Sequence, residues 1–333
     1  MVNSIKIFLI LLSVCITLSC QQQPANPPTG SVNRLDARLD DIIAPGAVIE
    51  QLADGFSWSE GPVWVPDGDF VLFNDIPKNT NYKWKEGEGL SVYLRPAGAV
   101  WSVQDGQGEG CNGLMLDAAG QLVMCDHWNR AICRLNTKDF TKTILVDRYQ
   151  GKRLNSPNDL IYRKNGDLIF TDPPYGLQVQ NNNPAKELAF NGVYCLKTNG
   201  ELTLLTDELT FPNGVELSPD EKTLYVAVSD GSDPRIMAYD LADDGVISNG
   251  RVFYDFEGWK NRDKPGLPDG MDMHPNGYLF ATGPCGVHVF APNGDHIGVL
   301  ETDLATANCT LGNDDSYLYM TSHKYLLRIP LKK

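Results

Sequence analysis

The chain has 333 residues, of which 42% are hydrophobic and 21% charged, an ordinary globular balance that supports a large buried core. Its formal net charge of −14 argues against nucleic-acid binding, which needs a basic surface, and against polybasic attachment to anionic lipid. The 31 glycines and 21 prolines are evenly spread and favour many short strands and turns over long helices.

Residues 7–18 are almost entirely apolar and follow a lone early cation, Lys6. The run is short for a transmembrane helix but suits a secretory signal. Ser19-Cys20 followed by Gln21-Gln22-Gln23-Pro24 resembles a bacterial lipoprotein signal, with Thr17 standing where an aliphatic residue is usual. That resemblance implies cleavage before Cys20, a lipid on Cys20 as the only membrane contact, and a place in the bacterial cell envelope; ordinary secretion is the alternative. Residues 21–45 are polar with little apolar periodicity and read as a flexible tether, leaving 46–333 as one domain, expected to be a monomer. Six cysteines fall in that domain at irregular spacing without a C-x-x-C, so buried thiols are as reasonable as disulfides. Cys125 and Cys133 are the pair that could face each other across a hairpin.

From residue 66 onward one pattern recurs: a turn of Asp, Asn, Pro or Gly, then an apolar strand. It runs through Pro66-Asp67-Gly68-Asp69-Phe70, Ala118-Ala119-Gly120-Gln121-Leu122, Lys164-Asn165-Gly166-Asp167-Leu168, Ser218-Pro219-Asp220-Glu221-Lys222-Thr223-Leu224, His274-Pro275-Asn276-Gly277-Tyr278-Leu279 and Asn313-Asp314-Asp315-Ser316-Tyr317-Leu318. The first apolar strand residues lie 39 to 56 positions apart, the length of a four-stranded blade with a variable loop. The fold class expected is therefore all-β, a six-bladed β-propeller. The last unit is too short for four strands, so a strand near residues 47–52 is expected to complete it and close the ring.

Ten or eleven residues before each anchor stand Glu60, Asn112, Asn158, Asn213, Asp269 and Asn308. Gly61, Gly113, Gly214 and Gly270 follow four of them, and apolar residues then alternate, the mark of a strand leading into the hairpin. Equivalent points on six radial strands face a common axis. Six Asx turns would give similar spacing, but Glu60 is a poor Asx-turn residue and such caps need no acids. Two carboxylates among amide oxygens near an axis repel each other unless a cation joins them. Hard oxygen donors without clustered His or Cys suit Ca²⁺, with Mg²⁺ or Zn²⁺ as substitutes.

Ser59-Glu60-Gly61-Pro62-Val63-Trp64, Ser156-Pro157-Asn158-Asp159, Phe211-Pro212-Asn213-Gly214 and Pro268-Asp269-Gly270-Met271 resemble the signatures of the SMP-30/gluconolactonase/LRE-like family. Thr171-Asp172-Pro173-Pro174-Tyr175-Gly176 and Asn308-Cys309-Thr310-Leu311-Gly312 fit its bacterial sugar-lactonase branch. The resemblance runs from about residue 50 to the C-terminus. It implies a six-bladed propeller with a catalytic calcium held by Glu60, Asn213 and Asp269, with Asn158 a ligand or a substrate contact. Where the animal lactonases carry an Arg two residues before that asparagine, this chain has Ser156; Arg153 is the nearby candidate for substrate binding.

The chemistry expected is hydrolysis of an aldonolactone, with the metal polarising the carbonyl and Asp269 both holding the metal and taking a proton from water. Asn158 shares the catalytic role, while Asn112, Asp159 and Asn308 orient water or substrate. Gly-x-Ser-x-Gly and H-E-x-x-H are absent. Two alternatives stay open: an aryl esterase or phosphotriesterase on the same ligands, as in related propellers, and a non-enzymatic propeller whose calcium is structural. His127 could reach the mouth, but is expected to brace a blade. Trp58, Trp64, Trp101, Trp128 and Trp259 either form a sugar platform or, in better accord with propellers, pack between blades. Asn181-Asn182-Asn183 reads as a solvated loop that could serve as part of a lid.

Overall fold

The computed structural model describes residues 29–98, 110–259 and 264–333. The signal segment with Cys20, the expected tether's residues 21–28 and Trp101 lie outside the described residues.

Alternating apolar strands and Gly- or Asp-rich turns fold, among the described residues, into six antiparallel blade sheets and one two-stranded hairpin. A strand β1 (Ser31–Arg34) and a strand β2 (Glu50–Asp54) come first. The first blade is β3 (Ser59–Val65), β4 (Phe70–Asp75), β5 (Thr80–Lys85) and β6 (Gly89–Leu94). The second is β7 (Cys111–Leu116), β8 (Leu122–Asp126), β9 (Ala131–Leu135) and β10 (Lys142–Val146), followed by a small hairpin of β11 (Arg148–Tyr149) and β12 (Lys152–Arg153). The third is β13 (Leu160–Tyr162), β14 (Leu168–Asp172), β15 (Gly192–Leu196) and β16 (Leu202–Thr206). The fourth is β17 (Pro212–Leu217), β18 (Thr223–Val228), β19 (Arg235–Leu241) and β20 (Ile247–Asp255). The fifth is β21 (Met271–Met273), β22 (Leu279–Gly283), β23 (Gly286–Phe290) and β24 (His296–Glu301); the sixth is β25 (Thr306–Gly312), β26 (Tyr317–Ser322) and β27 (Tyr325–Pro330). The only helical pieces among the described residues are four short 3₁₀ turns.

The first strand of each blade lies against the first strand of the next, and β25 lies against β3. The strand expected near residues 47–52 is β2, which pairs antiparallel with β27 and supplies the fourth strand of the last sheet. Six apolar cores sit between neighbouring blades because each second strand sends alternate residues to opposite faces. Leu72 packs with Leu122 and Met124 between blades one and two, whereas Val71 and Phe73 pack with Tyr319 and Leu326 between blades one and six. Trp64 stacks on Tyr319, ring centroids 5.5 Å apart, and Trp259 is buried between blades four and five, so both serve as packing.

The tether expectation fails for its described part. Ser31–Arg34 pairs with β24 as a fifth strand on blade five. Leu39, Ile42 and Ile43 are at most 1% exposed and fill the core between blades five and six. Asp36 caps the 3₁₀ turn Ala37–Asp41 by accepting from the Arg38 N–H. Three buried aliphatics anchored by one strand give this segment enough buried surface to order it.

All six described cysteines are free and buried. Cys133 is in register with Met124, and Cys125 with Ile132. Cys133 therefore faces the first core and Cys125 the core with blade three, on opposite sides of one sheet, so the hairpin cannot bridge them.

Candidate functional site

The first strands bring Glu60, Asn112, Asn158, Asn213 and Asp269 to one end of the propeller axis, where they line a single cavity of about 480 Å³. Glu60, Asn112 and Asn213 lie within β3, β7 and β17; Asn158 and Asp269 lie two residues before β13 and β21. Glycines next to the ring residues make this convergence possible. A Cβ on Gly61 would sit 2.2 Å from the Asn112 carbonyl oxygen, and one on Gly214 would sit 2.1 Å from that of Asp269. Neighbouring inner strands can meet only where that atom is missing.

A set of hydroxyl and amide donors behind the ring fixes its backbone. Asn74 on β4 donates to the Asn112 carbonyl at 2.7 Å, and Thr171 on β14 to the Asn213 carbonyl at 2.6 Å. Thr282 and Thr321 bind the Ala307 and Asn308 carbonyls, each at 3.2 Å. Sequence reasoning missed these residues although a signal existed: Thr171, Thr282 and Thr321 each stand three residues after a strand anchor, Leu168, Leu279 and Leu318.

The site is short of positive charge. Glu60, only 3% exposed, accepts from the Trp58 indole N–H at 3.3 Å and from the Gly61 N–H at 3.0 Å. Burial pushes its pKa up to about 7, and Asp159 adds repulsion. Burial, then Glu60 and Asp159, drive Asp269 well above the usual carboxylate range, against the pull of the Asn213 amide. Asn213 donates Nδ2–H to Ser229 Oγ at 2.9 Å, and Ser229 Oγ donates to the Pro268 carbonyl. The other side of that amide, Asn213 Oδ1, is buried with no hydrogen-bond partner among the described residues.

These observations fit a hard cation. Two carboxylates that destabilise each other and an orphaned buried amide oxygen are the donors Ca²⁺ takes. Among the described residues no group of three His, Cys, Asp or Glu side chains is placed to hold a metal, so any such site mixes carboxylates with amide oxygens.

Three other expected site residues lie elsewhere. Asp159 and Asn308 line a second cavity of about 280 Å³ made by residues further along the same inner strands. Neighbouring positions on an extended segment point opposite ways, so Asp159 cannot share the Asn158 cavity. Asn308 still acts on the ring, since its amide favours the charged form of Glu60. Arg153 belongs to a third cavity, of about 300 Å³, and donates Nη2–H to the Asn129 carbonyl at 2.9 Å. Ser156 is buried and donates to the Pro173 carbonyl at 2.6 Å, leaving it no role toward substrate.

The site wall contains residues that sequence reasoning placed differently or passed over. Trp58 lines the cavity instead of a blade core, and His127, expected to brace a blade, is 3% exposed and lines the cavity as well. Tyr175 also lines it, stacked on Phe211 with centroids 5.8 Å apart. The Asn181–Asn183 segment does not line this cavity; Asn181 and Asn183 border two others.

A family profile described as SMP-30/Gluconolactonase/LRE-like region matches residues 58–324. A gluconolactonase from Zymomonas mobilis is 37% identical over 308 residues, 91% of this chain and 86% of that protein. The solved structure of a gluconolactonase from Xanthomonas campestris superposes with a TM-score of 0.78 at 33% identity, covering 94% of this chain and all of that one. A calcium-binding regucalcin structure from Agrobacterium tumefaciens shares the fold at 18% identity and a TM-score of 0.67, over 86% of this chain and 95% of that one. With the profile spanning all six inner strands and a gluconolactonase 37% identical over most of the chain, this chain belongs to the SMP-30/gluconolactonase/LRE-like family.

Proposed function

We propose that this chain is a carboxylic ester hydrolase that opens a sugar lactone, of the aldonolactone kind, in a calcium-dependent reaction. The observation that carries this reading is the convergence of Glu60, Asp269 and the unpartnered Asn213 Oδ1 on one cavity in a chain 37% identical to a gluconolactonase. Glu60, Asn213 and Asp269, with Asn158, would hold the ion. A bound calcium supplies a Lewis acid for a carbonyl oxygen.

The chain's own residues do the rest. Trp58 and the Gly61 N–H fix the Glu60 carboxylate, so it serves as a positioned donor. Asp269 takes the proton of the attacking water as the new C–O bond forms, and returns it to the ring oxygen when the ester C–O bond breaks. Asn112 and Asn158 offer amides to substrate hydroxyls, and the rings of Trp58 and Tyr175 form walls for the flat face of a sugar. A second reading, hydrolysis of an aryl ester or phosphotriester, is favoured by the apolar part of the same wall, Ile76, Pro77 and Leu267.

A panel of lactones, aryl esters and phosphotriesters, run with calcium, magnesium, zinc or chelator, tests both readings. The first expects gluconolactone turnover above the spontaneous rate, lost with chelator and restored by calcium. Faster turnover of the aryl or phosphate esters than of every lactone would favour the second. We further propose attachment to the cell envelope through Cys20; mass spectrometry of the mature protein without lipid on that residue would refute it.

A further inference from the structure

The cavity of about 300 Å³ beside the site shares a wall with it, since His127 lines both. In a chain of net charge −14 this neighbouring cavity is cationic, lined by Arg130 and Arg153. Arg130 is 6% exposed. Its Nε–H donates to the Leu154 and Asn155 carbonyls at 2.7 and 3.0 Å and its Nη1–H to the Ala185 carbonyl at 2.9 Å. Its Nη2 is buried with no partner among the described residues. The Arg153 guanidinium donates to the Asn129 carbonyl, and nearby Lys186 donates to the Leu188 and Phe190 carbonyls at 2.6 and 2.9 Å.

These hydrogen bonds all run to neutral carbonyls, which orient the cations without neutralising them. Burial and the charge of Arg153 hold Arg130 below the usual guanidinium value, with Asp172 and Glu187 giving only partial relief. Glu187 accepts from the Arg153 backbone N–H at 2.8 Å, but among the described residues no carboxylate is hydrogen-bonded to either guanidinium, and two such cations in one cavity favour an anion with several acceptor oxygens.

We propose that this cavity is an anion-binding subsite that takes the phosphate or carboxylate group of an acidic sugar lactone whose ring carbonyl lies in the adjoining cavity. The assignment of the substrate rests on the lactonase reading; the anion site itself does not. A ligand reaching past His127 would hold a reacting ring on one side and its charged substituent on the other.

Two measurements on the full-length calcium-loaded protein test this. The first is equilibrium binding of inorganic phosphate by calorimetry to wild type, Arg153→Ala and Arg130→Lys. The milder change at Arg130 keeps a cation where Ala would strand three carbonyls. The second is the ratio of kcat/KM for 6-phosphogluconolactone and for glucarolactone to that for gluconolactone in the same proteins. Phosphate binding weakened at least about tenfold by Arg153→Ala, about 1.4 kcal/mol, is expected, together with a wild-type preference for one acidic lactone that falls about tenfold in that variant. A preference for the phosphorylated substrate names phosphate as the group, and one for the dicarboxylic substrate names carboxylate. Phosphate binding that depends on Arg153, with no lactone hydrolysed, upholds the anion site and sinks the lactonase reading and the substrate assignment. Lactone turnover with no acidic preference, or phosphate binding indifferent to Arg153, overturns the subsite while leaving the lactonase reading in place.

Discussion

Two acidic cavities lie on the same inner strands, and they differ in what each leaves unpaired. In the deeper one, Asp159 Oδ1 and Oδ2 accept from the Leu160 and Val215 N–H groups at 3.0 and 3.3 Å. Glu216 Oε1 accepts from Leu217 N–H at 2.6 Å, and Asp272 Oδ2 from Leu311 N–H at 2.7 Å. Asp159 thus ties blade three to blade four, and Asp272 ties blade five to blade six. In the upper cavity Glu60 and Asp269 stand beside the orphaned Asn213 Oδ1. Between these two cavities the number of acids does not mark the functional end; the buried amide oxygen left without a donor does. The deeper carboxylates are clips between blades, and the upper ones are held ready for something the chain does not itself supply.

The sharpest way to break this contrast is to neutralise one acid in each cavity. Asp269→Asn is expected to lower kcat/KM for lactone by about 10³-fold, within the range for loss of a general base, with the melting temperature little changed or raised. Asp272→Asn should lower activity only a few-fold while reducing stability by about 1 kcal/mol. Equal activity losses from the two would erase the distinction between the cavities. Gly214→Ala comes next. Its new Cβ would meet the Asp269 carbonyl oxygen at 2.1 Å, so the inner strands must part. We expect roughly 10²-fold loss of activity together with a stability loss of about 2 kcal/mol, read by turnover and denaturant unfolding.

Thr171→Val should cost less. Its hydroxyl serves both the Asn213 carbonyl at 2.6 Å and the Asp159 N–H at 3.2 Å, so it joins the two cavities. Leaving the carbonyl unsatisfied is expected to cost about 1–3 kcal/mol of stability, with a smaller loss of rate. The smallest effect is one of pH. Burial above all raises Asp272 from 3.8 to about 6, so the folded chain keeps a proton there that the unfolded chain releases. The stability this contributes is present at low pH and is lost as pH rises from about 4 through about 6. The destabilisation caused by Asp272→Asn should therefore shrink across that window in protein stripped with chelator. A destabilisation that grows over it would contradict the raised value.

Much of the fold could be read before any coordinates because blade length repeats, and so the six ring positions recur at nearly fixed distances from the anchors. Glu60, Asn112, Asn158, Asn213 and Asp269 reach one cavity for that reason. Asp159 departs from its expected place because adjacent residues on an extended backbone face apart, which the motif Ser156-Pro157-Asn158-Asp159 hides. Asn308 shares the spacing of the ring, yet it lines the second cavity. Residues 31–43 look like tether in the sequence because their strand pairs with one more than 260 residues away, as in Ser31 opposite Glu301, and a short polar strand carries no local sign of so distant a partner. Arg130 left no trace in any motif; only the packing of three carbonyls around it makes it conspicuous.

The central claim is that the upper cavity becomes a hydrolytic site when a cation joins its donors. Titration of calcium into chelator-stripped protein, followed by gluconolactone hydrolysis in wild type and Asn213→Ala, tests it most directly. We predict a rate that climbs from the spontaneous level to a plateau in wild type, with half-saturation displaced at least about tenfold upward by Asn213→Ala, the fold-change of one lost ligand. Full hydrolysis by the stripped protein, or a titration that Asn213→Ala leaves unmoved, would contradict the account.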